Sequence, residues 1–231
     1  MDLAAHYDAL RQAALPCLAR GAAELDTLLD SPLDTRRGLT VLARPPAAVT
    51  AAIETLLADF RGLEPRQYYY PAADVHLTIL SLISAHAGFS LATIEPAAYA
   101  QAVRAALQGL PPFAIRYAGL TAVPGGILVQ GFPLDEGLLH LREALRAHFQ
   151  HAGLAHSIDQ RYRIQTAHST VVRFRRPLAS PAQLVAALER CRQQVIGTFE
   201  VHTVELVFSD WYQRAQHTQR LATYSLLKPG P

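Results

Sequence analysis

The run Val75-His76-Leu77-Thr78-Ile79-Leu80-Ser81-Leu82-Ile83 sets apolar Val75, Leu77 and Ile79 against polar His76 and Thr78. This is the two-residue period of a strand with one buried face. The other face displays an imidazole and a hydroxyl side by side. The same pattern returns 92 residues later in His168-Ser169-Thr170-Val171, within a second β-prone run, Thr166 to Phe174. No other histidine of the ten has Ser or Thr two positions on. Both copies have Thr at the third position and a β-branched apolar residue at the fourth.

Working outward, strands and helices interleave. Leu39 to Ala43 is a short β-capable run, and Pro45-Pro46 opens a helix carrying Val49, Ile53, Leu57 and Phe60. Tyr68-Tyr69-Tyr70 is β-prone. Pro96 to Leu107 reads as an amphipathic helix. Phe113 to Tyr117 follows it, and then Leu120 to Val123 and Ile127 to Phe132 flank Pro124-Gly125-Gly126, which predicts a hairpin. Leu138, Leu141, Leu145 and Phe149 mark another helix, ended by Gly153. Ser180-Pro181-Ala182-Gln183 has the layout of a capping box before a helix through Leu184, Leu188 and Cys191. Thr198 to Phe208 and Leu221 to Leu227 close the chain with β-rich sequence. Residues 1–30 read as helix with Leu3, Tyr7, Leu10, Ala14 and Leu18 on one face, and Pro16 is expected to kink or divide it. With hairpins among the helices, the pattern predicts an α+β protein with antiparallel or mixed sheets rather than a doubly wound parallel one. We divide the chain into a helical extension, 1–37, and a main domain, 38–231.

Half of the 231 residues are apolar and 17% are charged, enough to build a core and to exclude disorder as the main state. Twenty-one basic and nineteen acidic side chains leave a formal charge of +2. That excludes bulk electrostatic binding to a long duplex. No apolar run approaches the roughly 20 residues needed to span a bilayer, and no signal peptide opens the chain, so a soluble cytoplasmic protein with no membrane partner is expected. Cys17 and Cys191 read as buried free thiols. No Gly-rich phosphate loop follows a strand. His148, His151 and His156 cluster, but nearby only Asp159 offers a further ligand, so no metal or other cofactor is expected.

Two imidazoles brought face to face suit in-line cleavage of a phosphodiester. One deprotonates the attacking oxygen and the other protonates the leaving oxygen, and histidine fills either role near neutral pH. Hydroxyls beside them donate to the non-bridging oxygens, where charge develops.

The paired His-x-Thr-x segments resemble those of the two-histidine (2H) phosphoesterase superfamily, which includes RNA 2′,3′-cyclic phosphodiesterases, also called 2′-5′ RNA ligases. The resemblance spans about residues 38–227. It implies a bilobal fold formed by duplication, with two antiparallel sheets around a central cleft and helices outside. It also implies that His76 and His168 are catalytic and that Thr78 and Thr170 bind phosphate. The expected activity is metal-independent phosphodiester hydrolysis at a 2′,3′-cyclic phosphate or a 2′-5′-linked nucleotide or RNA end, with reverse ligation as its counterpart. The alternative is a nucleotide or RNA-binding module that keeps the cleft without catalysis. The chain departs from the family in having Ala167 where Pro commonly precedes the second His.

Arg161, Arg163, Arg173, Arg175 and Arg176 crowd the second motif, and no carboxylate occurs from Gln160 to Leu188. Guanidinium groups bind phosphate bidentately. Arg173 stands five positions beyond the second His, as in many bacterial members of the superfamily. Strand alternation nevertheless puts it on the face opposite His168 unless the strand twists or bulges. Arg173, Arg163, Tyr70 and Trp211 are the candidate substrate contacts, Trp211 being the strongest aromatic because polar residues flank it.

Overall fold

The computed structural model describes residues 2–227. Within them are two antiparallel sheets and five helices. The strands are β1 (Arg37–Ala43), β2 (Tyr68–Tyr69), β3 (Leu77–His86), β4 (Phe113–Val123), β5 (Gly126–Pro133), β6 (Ser169–Arg173), β7 (Val195–Val201), β8 (Thr203–Asp210) and β9 (Gln219–Ser225). The helices are α1 (Leu3–Ala19), α2 (Ala47–Leu63), α3 (Pro96–Leu107), α4 (Gly137–His151) and α5 (Pro181–Arg190). One sheet has the order β3-β1-β8-β9 and the other β2-β6-β5-β4-β7. The fold is α+β, as the interleaved elements predict. No helix among the described residues is long and apolar enough to cross a membrane.

Helices α3 and α4 pack on the first sheet, and α1, α2 and α5 cover the second. The strand that crosses between halves is β2. It precedes β3 of the first sheet in the chain yet pairs with β6 of the second, Tyr68 opposite Arg173 and Tyr69 opposite Val172, and the Tyr70 N–H continues onto the Val171 carbonyl at 3.0 Å. This pairing lays the segment leading into the first His-x-Thr alongside the strand that carries the second.

Several local expectations need correction. Helix α1 stops at Ala19 rather than near residue 30, passing unbroken through Pro16, and Gly21 at φ +72° turns the chain away. Its buried stripe contains Arg11 as well as Tyr7, Ala14 and Leu18. Helix α5 begins at Pro181 as expected, but the Ser180 hydroxyl makes no cap bond. Instead the buried Glu64 carboxylate accepts from the Ala179 and Ser180 N–H groups at 2.9 and 2.7 Å. Cys17 and Cys191 are free thiols, but half-buried rather than buried.

Helix α1 is fixed to the second sheet by polar bonds as well as by packing. Arg11 donates to the carbonyls of Leu120 and Leu188 at 3.0 and 2.6 Å, the Thr121 hydroxyl donates to the Tyr7 carbonyl, and the Tyr7 hydroxyl donates to the Gly131 carbonyl. Leu18 is fully buried in the common core. Leu18→Ala is expected to cost about 2–5 kcal/mol, read from the urea midpoint at unchanged slope. A loss below about 0.5 kcal/mol would mean that α1 packs loosely.

Candidate active site

His76 and His168 each stand one residue before a strand, β3 and β6 respectively, rather than inside it. Both rings line one cleft, together with Thr78, Thr170, Tyr70, Arg173, Arg161 and Trp211. The His76 Nδ1 lies 2.7 Å from the Asp74 carbonyl and therefore carries the proton of that bond. The His168 Nδ1 lies 2.7 Å from the Thr166 hydroxyl, which can donate or accept. In both rings Nε2 is the nitrogen left for a ligand. Among the described residues the Thr78 and Thr170 hydroxyls have no protein hydrogen-bond partner, so both are open to an anion.

Parity along the strands explains who faces the cleft. In the β5–β6 ladder Gly126 opposes Arg173, Ile127 opposes Val172 and Leu128 opposes Thr170, so Val171 is an extra residue. This bulge reverses the alternation. It puts Arg173 on the cleft side with Thr170, while Val171 and Val172 are both buried. On β3 the ladder with β1 skips Ile79 and Leu82. The cleft then receives Thr78, Ser81 and Ser84 at a three-residue spacing.

Three buried contacts hold the two motifs together. Ser169 donates its hydroxyl to the His76 carbonyl at 2.5 Å, and the Tyr117 hydroxyl, 2.7 Å away, supplies Ser169 with a donor in turn. Arg142 of α4, 3% exposed, donates to the carbonyls of Ile79, Thr78 and Thr166 at 2.8, 2.9 and 2.8 Å. Burial pulls its guanidinium down to about 10. Gly131 lets β5 approach the residue before His168 closely, because a Cβ there would collide with the Ala167 carbonyl. None of these positions carries a local sequence signal; Arg142 reads as one more charge on an amphipathic helix.

The rings are partly open to solvent through the cleft mouth but densely surrounded. Desolvation is the main force that holds both down to about 4. At His76 the Asp74 carbonyl opposes this, Arg44 and Arg173 add to it, and the Asp74 carboxylate opposes it more weakly. Around His168 the charged influences are His76, Arg142, Arg173 and His6, and all of them act against protonation.

The remaining sequence candidates separate. The Arg173 Nε donates to the Tyr70 hydroxyl at 3.1 Å, and its guanidinium lies 5.5 Å from the Tyr212 ring centre. Tyr70 is thus a buried support for Arg173 rather than an exposed stacking surface. Trp211 is half-buried at the cleft, with Arg36 and Arg161 5.1 and 4.7 Å from its ring centre. Arg163 lies outside the cleft, bonded to Glu143 at 2.7 Å. Arg175 and Arg176 both pair with Asp30. The arginine cluster is therefore partly neutralised by carboxylates from distant sequence, contrary to the local reading, and Arg161 and Arg173 are the two that line the cleft. Gln213, at φ +59°, also lines it; its Nε2 reaches Thr40 and its Oε1 is buried without a partner. Among the described residues no group of three His, Cys, Asp or Glu is placed to hold a metal ion.

The fold has relatives of known structure. The family described as the 2′-5′ RNA ligase superfamily matches residues 45–211. TT0787 of Thermus thermophilus superposes with a TM-score of 0.56 at 22% identity, covering 83% of this chain and 97% of that one. Escherichia coli LigT complexed with 3′-AMP superposes at 0.54 and 16% identity, covering 83% and 98%. The conserved protein of unknown function ATU0111 from Agrobacterium tumefaciens superposes at 0.56 and 16% identity, covering 89% and 96%. These likenesses carry the fold. No curated protein matches the chain.

Proposed function

Because the chain belongs to the 2′-5′ RNA ligase superfamily, we propose that its cleft hydrolyses the phosphodiester of a nucleotide or RNA end bearing a 2′,3′-cyclic phosphate, using His76 and His168 as the proton-transfer pair. The observation that carries this reading is the pair of rings lining one cleft, each with Nδ1 engaged by the protein, beside two unpaired threonine hydroxyls and Arg173. That E. coli LigT has been crystallised with 3′-AMP supports a small nucleotide as the ligand class.

The surroundings distinguish the two rings. At His76 the Asp74 carbonyl, and more weakly the Asp74 carboxylate, favour the cation against Arg44 and Arg173, whereas every charged influence on His168 disfavours it. His168 is then the base and His76 the acid. Water adds to phosphorus as its proton passes to Nε2 of His168. The bond to one ribose oxygen breaks, and that oxygen takes the proton from Nε2 of His76, leaving a ring-opened monophosphate. Thr78, Thr170 and Arg173 donate to the non-bridging oxygens. The two imidazoles supply both proton transfers, so no step is routed through a metal.

Turnover needs one ring charged and the other neutral, yet both sit near 4 in the free protein. The singly protonated form is therefore scarce at neutrality. Above about pH 5, kcat/KM is expected to fall about ten-fold per unit toward pH 8. A bound phosphate anion favours the cation, so the falling limb of kcat lies at higher pH. A kcat/KM flat from about pH 5 to 8 contradicts this reading.

The activity test is incubation with a nucleoside 2′,3′-cyclic monophosphate and excess chelator. Release of a ring-opened monophosphate at the same rate as without chelator is the expected result. Saturable binding of 3′-AMP with no product from any cyclic nucleotide would instead establish a binding module.

A further inference from the structure

A second cavity adjoins the catalytic cleft, sharing Tyr162, Ile164, His168, Thr170 and Arg173 with it; His76 does not line it. Its far wall comes from the N-terminal segment, through His6, Leu10 and Glu24. The cleft offers about 180 Å³ and the second cavity about 550 Å³. Ligand sites commonly measure roughly 300–1,000 Å³, so the cleft alone suits a phosphate with part of a ribose, and the neighbouring space suits a nucleoside.

The wall is already built. Tyr7 and Arg11, which flank this side of α1, are bonded to the second sheet, and the Glu24 N–H donates to the Pro124 carbonyl at 2.9 Å. Leu10 and Val123 offer apolar surface, His6, Glu24 and Gln165 offer hydrogen-bonding groups, and Tyr162 stands 64% exposed where the two cavities meet. Apolar walls with a few polar groups and an exposed ring suit a nucleobase.

Resting on the phosphodiesterase reading above, we propose that this cavity binds the 5′-linked nucleoside of a dinucleoside monophosphate, so that the N-terminal segment is part of the substrate site. In-line displacement fixes the side. The group entering or leaving next to His168 occupies the cavity that His168 lines and His76 does not. Cleavage then begins with the ribose hydroxyl adjacent to the phosphate, whose oxygen bonds to phosphorus while its proton passes to His76. The bond from phosphorus to the 5′-oxygen breaks, and that oxygen takes a proton from His168. The products are a cyclic phosphate and a free nucleoside, with no co-reactant. In the hydrolytic step water takes the vacated place.

The test compares a 2′-5′-linked adenosine dinucleoside monophosphate with adenosine 2′,3′-cyclic monophosphate in the wild-type protein and in Leu10→Trp and Glu24→Trp, which fill the cavity from two separate segments. If one variant fails to fold, the other carries the result. The dinucleoside:cyclic ratio of kcat/KM is expected to drop about ten-fold or more in the folded variants. A ratio unchanged within about two-fold, or a wild-type protein that opens the cyclic phosphate but ignores the dinucleoside, overturns the second site while leaving the phosphodiesterase reading intact. If neither substrate turns over, that reading fails, and calorimetric titration decides the cavity alone. Binding of the dinucleoside about ten-fold tighter than 3′-AMP, lost in the variants, upholds it; equal affinities overturn it.

Discussion

His76→Ala and His168→Ala are each expected to lower kcat by about 10²–10⁴-fold on a cyclic nucleotide, with a smaller change in affinity for 3′-AMP. Each ring supplies one of two proton transfers at the same phosphorus, and Thr78, Thr170 and Arg173 remain to hold the anion. Because the two act as a unit, the double variant should lose little more than either single one. The assignment of roles has its own readout. A nucleoside 2′-nitrophenyl phosphate loses its nitrophenolate from the His168 side, by attack of the adjacent ribose hydroxyl, and that group needs no proton, so this ester should restore most of the rate lost in His168→Ala and little of that lost in His76→Ala. The reverse pattern exchanges acid and base. Full activity in either alanine variant ends the two-histidine mechanism.

The second large effect is at Arg142, remote in sequence from both motifs. Its guanidinium serves three carbonyls, two beside the first His-x-Thr and one beside the second. Ile79 is a residue that the β1 ladder skips, and Arg142 answers its carbonyl from α4. Replacing a buried ion by an apolar residue can be harmless when its partner goes too. Here the carbonyls stay, and each buried acceptor left unpaired costs about 1–3 kcal/mol. Arg142→Met is therefore expected to lose about 3–5 kcal/mol in urea unfolding. The folded fraction should also show a reduced kcat, because Thr78 and Thr166 are no longer tied to one point. Arg142→Lys keeps the charge but lacks the fork that spans both segments, so it should recover only part of the loss. Wild-type stability and kcat in Arg142→Met would show that the motifs are held by strand pairing alone.

The α+β architecture and the exposure of each histidine beside a threonine at the cleft were legible because they follow from local pattern. Two-residue alternation exposes His76 beside Thr78, and the helix predicted at Pro96 to Leu107 matches α3. Alternation fails where a bulge intervenes. The extra residue Val171 brings Arg173 into the cleft, and the skipped Ile79 and Leu82 turn a two-residue period into the three-residue row of Thr78, Ser81 and Ser84. Such bulges are set by pairing with β5 and β1, which local sequence does not report. The same limit applies to charge. An arginine run without nearby carboxylates reads as a strong positive site, yet Asp30 and Glu143 return from far along the chain to meet three of the five. Tyr70 had the composition of a stacking residue, and its burial beneath Arg173 gives it a supporting role instead.

The central claim is that His76 and His168 serve one phosphate, and a crystal structure of the protein with inorganic phosphate tests it most directly. The account predicts a single phosphate within hydrogen-bond distance of Nε2 of both rings, with the Thr78 and Thr170 hydroxyls donating to its oxygens. A phosphate held by one ring alone, with the other Nε2 turned to solvent or to protein, would contradict it.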